Sequence, residues 1–324
     1  MYRKMIVLIG ISVLCAVWMG AAGAQEKYPD RPVQAIVPYA AGSSTENAVR
    51  MLGEYLQKYW GQPLVVMNKP GAGGGIGGNE LYKSKPDGYT VGLFNLTNTT
   101  PEMLMDPQRF IYKSKDLQPI VQYSGTMPII TVREDAPWKT LPEFIEDAKN
   151  NPNKYRWAHH GRGSPYWQIG TSLFQYAGVK VLDVPFEGDG KNLIALLGGH
   201  VDISVMTFAA TNREQIKAHK IRPLAVPAAT RYDELPDVPR VDEVGFPPHT
   251  IEIYLGVFVP KPTPKEVTEK WRAAVKRAVG EPDFKGRMSQ IGFPVWYKDT
   301  PEFEEHVAKI GKAQYDLLKK FGLI

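Results

Sequence analysis

The sequence predicts an α/β protein folded as two lobes. Three observations carry this reading. Apolar runs of strand length alternate with helical patterns along the chain. Most of those runs are continuously apolar, as strands covered on both faces require. The 324 residues are too many for one small domain, yet no repeat or low-complexity linker divides them. Two lobes joined by more than one crossing strand satisfy all three.

The N-terminus comes first. Arg3 and Lys4 precede an almost wholly apolar stretch, Met5 to Met19, and Ala22-Gly23-Ala24 follows before Gln25. This is the layout of a secretory signal peptide cleaved after Ala24, and the apolar core is short for a membrane span. The expected location is therefore periplasmic. Cys15 is the chain's one cysteine and falls inside that core. The mature chain would have no disulfide, thiolate metal site or cysteine nucleophile. The full chain has 39 Lys+Arg against 34 Asp+Glu; without Arg3 and Lys4 it is 37 against 34, or +3. The charges are mixed and form no basic cluster, which argues against nucleic acid as a partner.

Strands are expected at residues 33–39, 63–68, 89–95, 128–134, 180–186, 201–206, 221–228 and 251–260. Helix starts are marked by Ser43-x-x-Glu46, Thr140-x-x-Glu143 and Thr263-x-x-Glu266, the pattern of a capping box. Pro264 and Pro301 suit the first helical position. Val267, Trp271, Val275 and Ala278 then share one helix face, and Phe303, Val307, Ile310, Leu317 and Phe321 share another. Those aromatics read as core.

The stretch NKPGAGGGIGGNE, Asn68 to Glu80, places Gly73, Gly75 and Gly78 at the spacing of a dinucleotide-binding loop. The acidic residue that should close the next strand is missing, since that strand ends in Asn95. No cofactor is expected. The glycines still suit a backbone nest for a carboxylate. Two other strand-to-helix turns are rich in small residues, PYAAGSSTE (38–46) and HHGRGSPYW (159–167). Three such turns together predict one cleft at the strand C-termini.

Several stretches resemble a known family. YPDRPVQAIVPYAAGSSTENAVRML, GQPLVVMNKPGAGGGIGGNELYKSKPDGYTVGL, LLGGHVDIS, LPDVPRVDEVGFP and GVFVPKPTPKEV resemble, in order, segments of the Bug family. These are the extracytoplasmic receptors of tripartite tricarboxylate transporters. The resemblance covers essentially the whole mature chain. It implies a type II periplasmic binding protein-like fold, with two α/β lobes and an interlobe ligand cleft. Lobe 1 would be residues 25–126 plus 250–324, and lobe 2 residues 127–249. It also implies a monomeric receptor that is not an enzyme, closes on a small organic carboxylate and delivers it to transporter subunits of that type, or to a sensor.

Carried over from the family, the carboxylate would be held by Tyr39, Ala41, Gly42, Ser43, Ser44 and Thr45, and by Gly71, Ala72 and Gly73. Thr97 and Asn98 would reach the same cleft. In the segment where the family usually has small polar residues, this chain has His159, His160, Gly161, Arg162, Gly163 and Ser164. Arg162 has the fork to take a second carboxylate, which suggests a dicarboxylic ligand. His159 and His160 are adjacent in an extended run, so at most one faces the cleft. No third ligand stands near enough for a metal site. Met206 stands where amino-acid-binding members tend to have Asp. Met206, flanked by Thr207, would instead form with Tyr166, Trp167 and Phe186 an apolar or aromatic wall, suited to an aromatic acid. Glu187 and Asp189 read as rim or structural residues, Asp189 as a helix cap. The competing reading is an exported hydrolase using Ser164 with His159 or His160. The nucleophile-elbow order G-x-S-x-G is absent, however, because Gly163 directly precedes Ser164 and Pro165 follows it.

Overall fold

A computed structural model of the chain describes residues 28–95, 108, 110–247, 252–322 and 324. The signal segment, Thr97 and Asn98 lie outside the described residues. The first sheet contains β1 (Val33–Val37), β2 (Leu64–Asn68), β3 (Thr90–Phe94), β4 (Leu117–Gly125) and β10 (Tyr254–Pro260), in the order β2-β1-β3-β10-β4. The second contains β5 (Pro128–Arg133), β6 (Arg156–His159), β7 (Leu182–Pro185), β8 (Ile203–Thr207) and β9 (Ile221–Ala225), in the order β7-β6-β8-β5-β9. Each five-stranded sheet has four strands running one way and one antiparallel strand inserted between the third and the fourth. β10 enters the first sheet antiparallel to β3 and β4. β5 enters the second antiparallel to β8 and β9. The chain crosses from one sheet to the other through Thr126 and Met127, and returns ahead of β10 at Glu252 and Ile253. The Thr126 N–H donates to the Ile253 carbonyl at 2.7 Å and ties the two crossings together.

Helices cover both faces of each sheet. In β1, Val33, Ala35 and Val37 face a cluster that includes Leu52, Leu56 and Trp271, while Ile36 faces the other side with Phe258 and Phe303. In the second sheet Ile130 and Val132 face Phe144 and Trp157, while Ile129 faces Met206 and Phe208. The expectation of strands buried on both faces therefore holds at the sheet centres. It fails at β2, an edge strand on which Val65 is exposed.

The nine α-helices of the described residues are α1 (Ser44–Trp60), α2 (Gly75–Lys83), α3 (Leu141–Asn150), α4 (Pro165–Ala177), α5 (Asp189–Leu197), α6 (Ala210–Lys217), α7 (Lys265–Gly280), α8 (Pro282–Gln290) and α9 (Thr300–Lys320). Thr140 closes a full capping box on α3. Ser43 caps α1 by accepting the Glu46 N–H, but the Glu46 carboxylate reaches back to the Gly42 N–H instead of completing the box. Thr263 does not cap α7: its hydroxyl donates to the Pro260 carbonyl, and Pro264 occupies the N-cap. Pro301 is the second residue of α9, after the Asp299 cap. Helix α9 buries Phe303 and Ile310 under the first sheet, and its far end carries Leu318 into the core of the second. None of the described helices is long and apolar enough to cross a membrane.

Two glycines of the quoted run have a packing explanation. A Cβ on Gly75 would lie 2.0 Å from the Phe110 ring, and one on Gly78 would lie 1.9 Å from the Tyr112 hydroxyl. Helix α2 is glycine-rich because two aromatic rings press against it.

Candidate functional site

The first sheet's contribution begins where β1 ends. Tyr39 leads into a turn, and Ser43, Ser44 and Thr45 form the start of α1. Ser43 has extended backbone, so its hydroxyl can accept from the third helical residue. None of the hydrogen bonds found among the described residues uses the N–H groups of Ser44 and Thr45, which are the first two of the helix. The positive end of a 17-residue helix therefore opens onto Ser44 and Thr45. Behind it, Glu46 is braced by Gly42, Arg50 and Asn68. Burial would raise its carboxyl, but the Gly42 N–H and Arg50 bring it below the usual carboxylate value.

The second sheet supplies the opposite wall. His160 follows β6, and its Nε2 lies 2.9 Å from Asp189 Oδ1. The same oxygen accepts the Thr207 N–H at 2.9 Å. The His160 ring lies on Tyr166, with 3.9 Å between ring centroids. Tyr166 Oη bridges the hydroxyls of Thr207 at 2.6 Å and Thr126 at 3.1 Å, which ties this wall to a crossing segment. Burial would raise the Asp189 carboxyl, but His160 and the Thr207 N–H outweigh it and hold the group below its ordinary value.

These groups line one small cavity between the sheets, of about 10 Å³. That is room for roughly one water molecule. Of the residues expected from the sequence, Tyr39, Ser43, Ser44, Thr45, His160 and Tyr166 line it. Asn95, Thr126, Gly188, Asp189, Ile253 and Leu255 complete the lining. Gly188 comes from the second lobe and nearly touches the first: a Cβ on it would lie 3.9 Å from Ser43 Cβ.

The remaining expected residues lie elsewhere. Ala41 and Gly42 are exposed in the turn before α1. Gly71, Ala72 and Gly73 all have left-handed backbone but do not line the cavity. His159 turns the opposite way from His160, buried against Trp157 with Nε2 3.5 Å from Asp183 Oδ2. Arg162 forks onto the same Asp183 with two bonds of 2.8 Å, and its side chain is 64 % exposed. In this conformation its fork is therefore occupied within the second lobe. Gly163 is buried, and its carbonyl accepts Gln168 Nε2. Ser164 caps α4: its Oγ accepts the Trp167 N–H at 3.2 Å, and none of its bonds goes to a histidine. Met206 is fully buried in the second lobe's core, and Phe186 packs against the same cluster. Thr207 lies one step behind the lining, under Asp189 and Tyr166.

Asp189 corrects the expectation of a helix cap. Gly188 is the N-cap of α5, and the Asp189 side chain turns to His160 and Thr207. The available signal was a second acid after Glu187 in the strand-to-helix turn PFEGDG, the same kind of turn that supplies the other wall.

Comparison with known proteins bears on this geometry. The "UPF0065 protein in gbd 5'region" of Cupriavidus necator is 30% identical over 312 residues, covering 94% of this chain and 92% of its own. Protein BugT of Bordetella pertussis is 31% identical over 266 residues, covering 82% and 81%. Among solved structures, the periplasmic binding protein BugD is 32% identical with a TM-score of 0.84, covering 91% of this chain and 99% of its own. MatC from Rhodopseudomonas palustris, solved with bound malate, is 26% identical with a TM-score of 0.83, covering 90% and 100%. The sequence profile described as "Tripartite tricarboxylate transporter family receptor" matches residues 48–323. With a two-sheet fold shared with BugD and a cavity between its sheets, the chain belongs to the tripartite tricarboxylate transporter receptors, the Bug-type periplasmic solute-binding proteins.

Proposed function

We propose that this protein captures a small organic carboxylate in the cleft between its sheets and delivers it to transporter subunits of the tripartite tricarboxylate type. The observation that carries this reading is the pair of N–H groups, Ser44 and Thr45, at the cavity end of α1. Backbone donors at a positive helix end, flanked by hydroxyls, suit a carboxylate. The malate bound to MatC supports the same ligand class. Residues 25–126 plus 250–324 would move as one lobe and 127–249 as the other. The cavity is too small for an organic acid, so binding requires the lobes to part and close again. Export would release a mature chain beginning at Gln25. The hydrolase reading loses its dyad, because Ser164 serves as a helix cap.

Native mass spectrometry of the purified mature protein tests this first, followed by a thermal-shift screen of mono- and dicarboxylates. A true ligand at 100 times its Kd stabilises by about 2.7 kcal/mol through mass action. Arg162→Ala is expected to leave that shift unchanged, since Arg162 is engaged by Asp183. A shift lost in Arg162→Ala would place the guanidinium in the closed cleft and restore the dicarboxylate reading. No response to any acid, with no ligand co-purifying, would overturn the proposal.

A further inference from the structure

A second cavity, of about 780 Å³, lies behind the crossing segments. It is lined by residues 227–233 after β9, by residues 296–298 ahead of α9, and by both crossings. Its place follows from the sheet order. The small cavity in front is built largely from residues that follow β1, β3, β6 and β7, all on one side of the crossing strands. The large one sits at the opposite sheet edges. β9 is the edge of the second sheet, and Lys298 exchanges backbone hydrogen bonds with Gln122 of β4, the edge of the first. The two cavities thus flank the crossings, with Thr126 and Ile253 as their common wall.

The rear volume is within the range of small-molecule sites, roughly 300–1,000 Å³. Both lobes give it aromatic walls. Trp296 and Tyr297 come from the first. Tyr232 comes from the second, stacked on Phe208 and held in place by donating to the Pro128 carbonyl at 2.9 Å. Such a lining suits a flat ring. The charges then give the sign of the occupant. Arg231 is spent on Glu243 and the Pro236 carbonyl, and Asp233 is exposed. Glu252 is shared by Gln122 Nε2 at 3.3 Å, His306 Nε2 at 3.5 Å and Lys298 Nζ at 3.9 Å. The Lys298 side chain is only 22% exposed, yet none of the hydrogen bonds found among the described residues uses its Nζ. An ammonium has three donors, so Lys298 keeps donor capacity for an anion.

We infer that the rear cavity is a second binding site, for a flat aromatic molecule bearing an anionic group, with its ring against Trp296 and Tyr232 and its acid on Lys298. Where the receptor reading above holds for the front cavity, the two sites oppose each other. In this conformation the front cavity cannot take an organic acid, whereas the rear one has room. An occupant of the rear site favours the conformation in which the front is shut. It therefore weakens acid capture, and by reciprocity the acid weakens its own binding.

Calorimetry with naphthalene-1-sulfonate tests the site. Naphthalene-1-methanol and 1-naphthylmethylamine supply the neutral and cationic forms of the same ring, and methanesulfonate the anion without it. One naphthalene-1-sulfonate should bind per chain, at least about tenfold more tightly than the alcohol, as a hydrogen bond to a charged group allows. The amine and methanesulfonate should be weaker again. Lys298→Met should bring the sulfonate down to the level of the alcohol. Ala229→Trp, at an exposed loop position, should fill the cavity and abolish binding with the fold intact. Ser44→Asp, which puts a negative charge on the front cavity, should leave binding unchanged. Binding lost in Ser44→Asp but kept in the other two variants would put the probe in front and overturn the inference, with the receptor reading left standing. No binding, or equal binding of all three naphthalenes in every variant, would overturn it as well. The opposition has its own test. The acid selected by the thermal-shift screen should bind more weakly at saturating naphthalene-1-sulfonate, and Ala229→Trp should abolish that effect. Unchanged acid affinity would overturn the opposition and leave the site. Failure of every acid in the screen would remove the receptor reading and the opposition with it, but not the rear site.

Discussion

Asp183 stands between two side chains, the buried His159 imidazole on one side and the exposed Arg162 guanidinium on the other. The His159 contact and the Arg162 fork hold its carboxyl well below the usual carboxylate range. Burial lowers the His159 imidazole in turn, and Asp183 offsets only part of this. Both folded-state values lie below the unfolded ones, so the unfolded chain takes up protons first as the pH falls. Stability from His159 is present above about pH 6.5, the unfolded value, and is lost below it; that from Asp183 begins to go near about pH 3.9. Urea unfolding at pH 7.5 and at pH 5.5 should show a loss on acidification, and His159→Gln should flatten it. An unchanged slope in that variant would mean that His159 is not the group being protonated. Arg162→Ala, by contrast, removes a largely exposed ion pair and should cost less than about 1 kcal/mol. At this scale the sequence was partly legible. Two adjacent histidines in an extended run must diverge, and the structure shows them doing so. That Arg162 would face Asp183 was not legible, because the partner is set by the pairing of β6 with β7, which aligns Trp157 with Asp183.

At the scale of elements, the glycines separate into two kinds. Gly78 lies inside α2 where a Cβ would collide with Tyr112, whereas Gly311 lies inside α9 with nothing within 4 Å of its missing Cβ. Gly78→Ala is therefore expected to destabilise by about 1–3 kcal/mol through overpacking. Gly311→Ala should stabilise by roughly 0.5–1 kcal/mol, because the helix gains propensity at no steric cost. Denaturant midpoints of the two variants check this, and shifts of the same sign would contradict the packing argument. The elements missed in the sequence have physical causes too. β4 contains Pro119, and Gln118 and Gln122 break its apolar pattern, yet it pairs along its length with β10. Its neighbours supply what its sequence pattern does not announce. β6 is four residues long, RWAH, and is held by β7 on one side and β8 on the other. A strand that short leaves no period to read.

Across the whole molecule, the two-lobe plan was legible from chain length and buried strand runs, whereas the reach of α9 was not. Phe303, Val307, Ile310 and Leu317 of its expected stripe pack in one core, but Leu318, outside that stripe, packs into the other lobe. The hinge then depends on few groups. Gly125 ends β4 just before the first crossing segment, and a Cβ there would lie 2.0 Å from the Trp296 ring and 2.9 Å from the Ile253 carbonyl of the second crossing. The larger cavity of about 780 Å³, lined in part by Trp296, shares among the described residues only Thr126 and Ile253 with the small cavity between the sheets. These two residues, one from each crossing, thus border both spaces, so a shift in either crossing should be felt in both. Gly125→Ala would displace Trp296 and both crossing segments without touching any side chain proposed to hold the carboxylate in front. If ligand capture is lobe closure, two results are expected. The radius of gyration of the wild type, measured by small-angle scattering, should fall on saturation with its ligand. Gly125→Ala should bind that ligand several-fold more weakly, because binding affinity includes the free energy of reaching the closed state. A variant that binds as the wild type does, together with an unchanged radius of gyration, would mean that the ligand enters a cleft already set, and that the crossing segments act as a fixed brace.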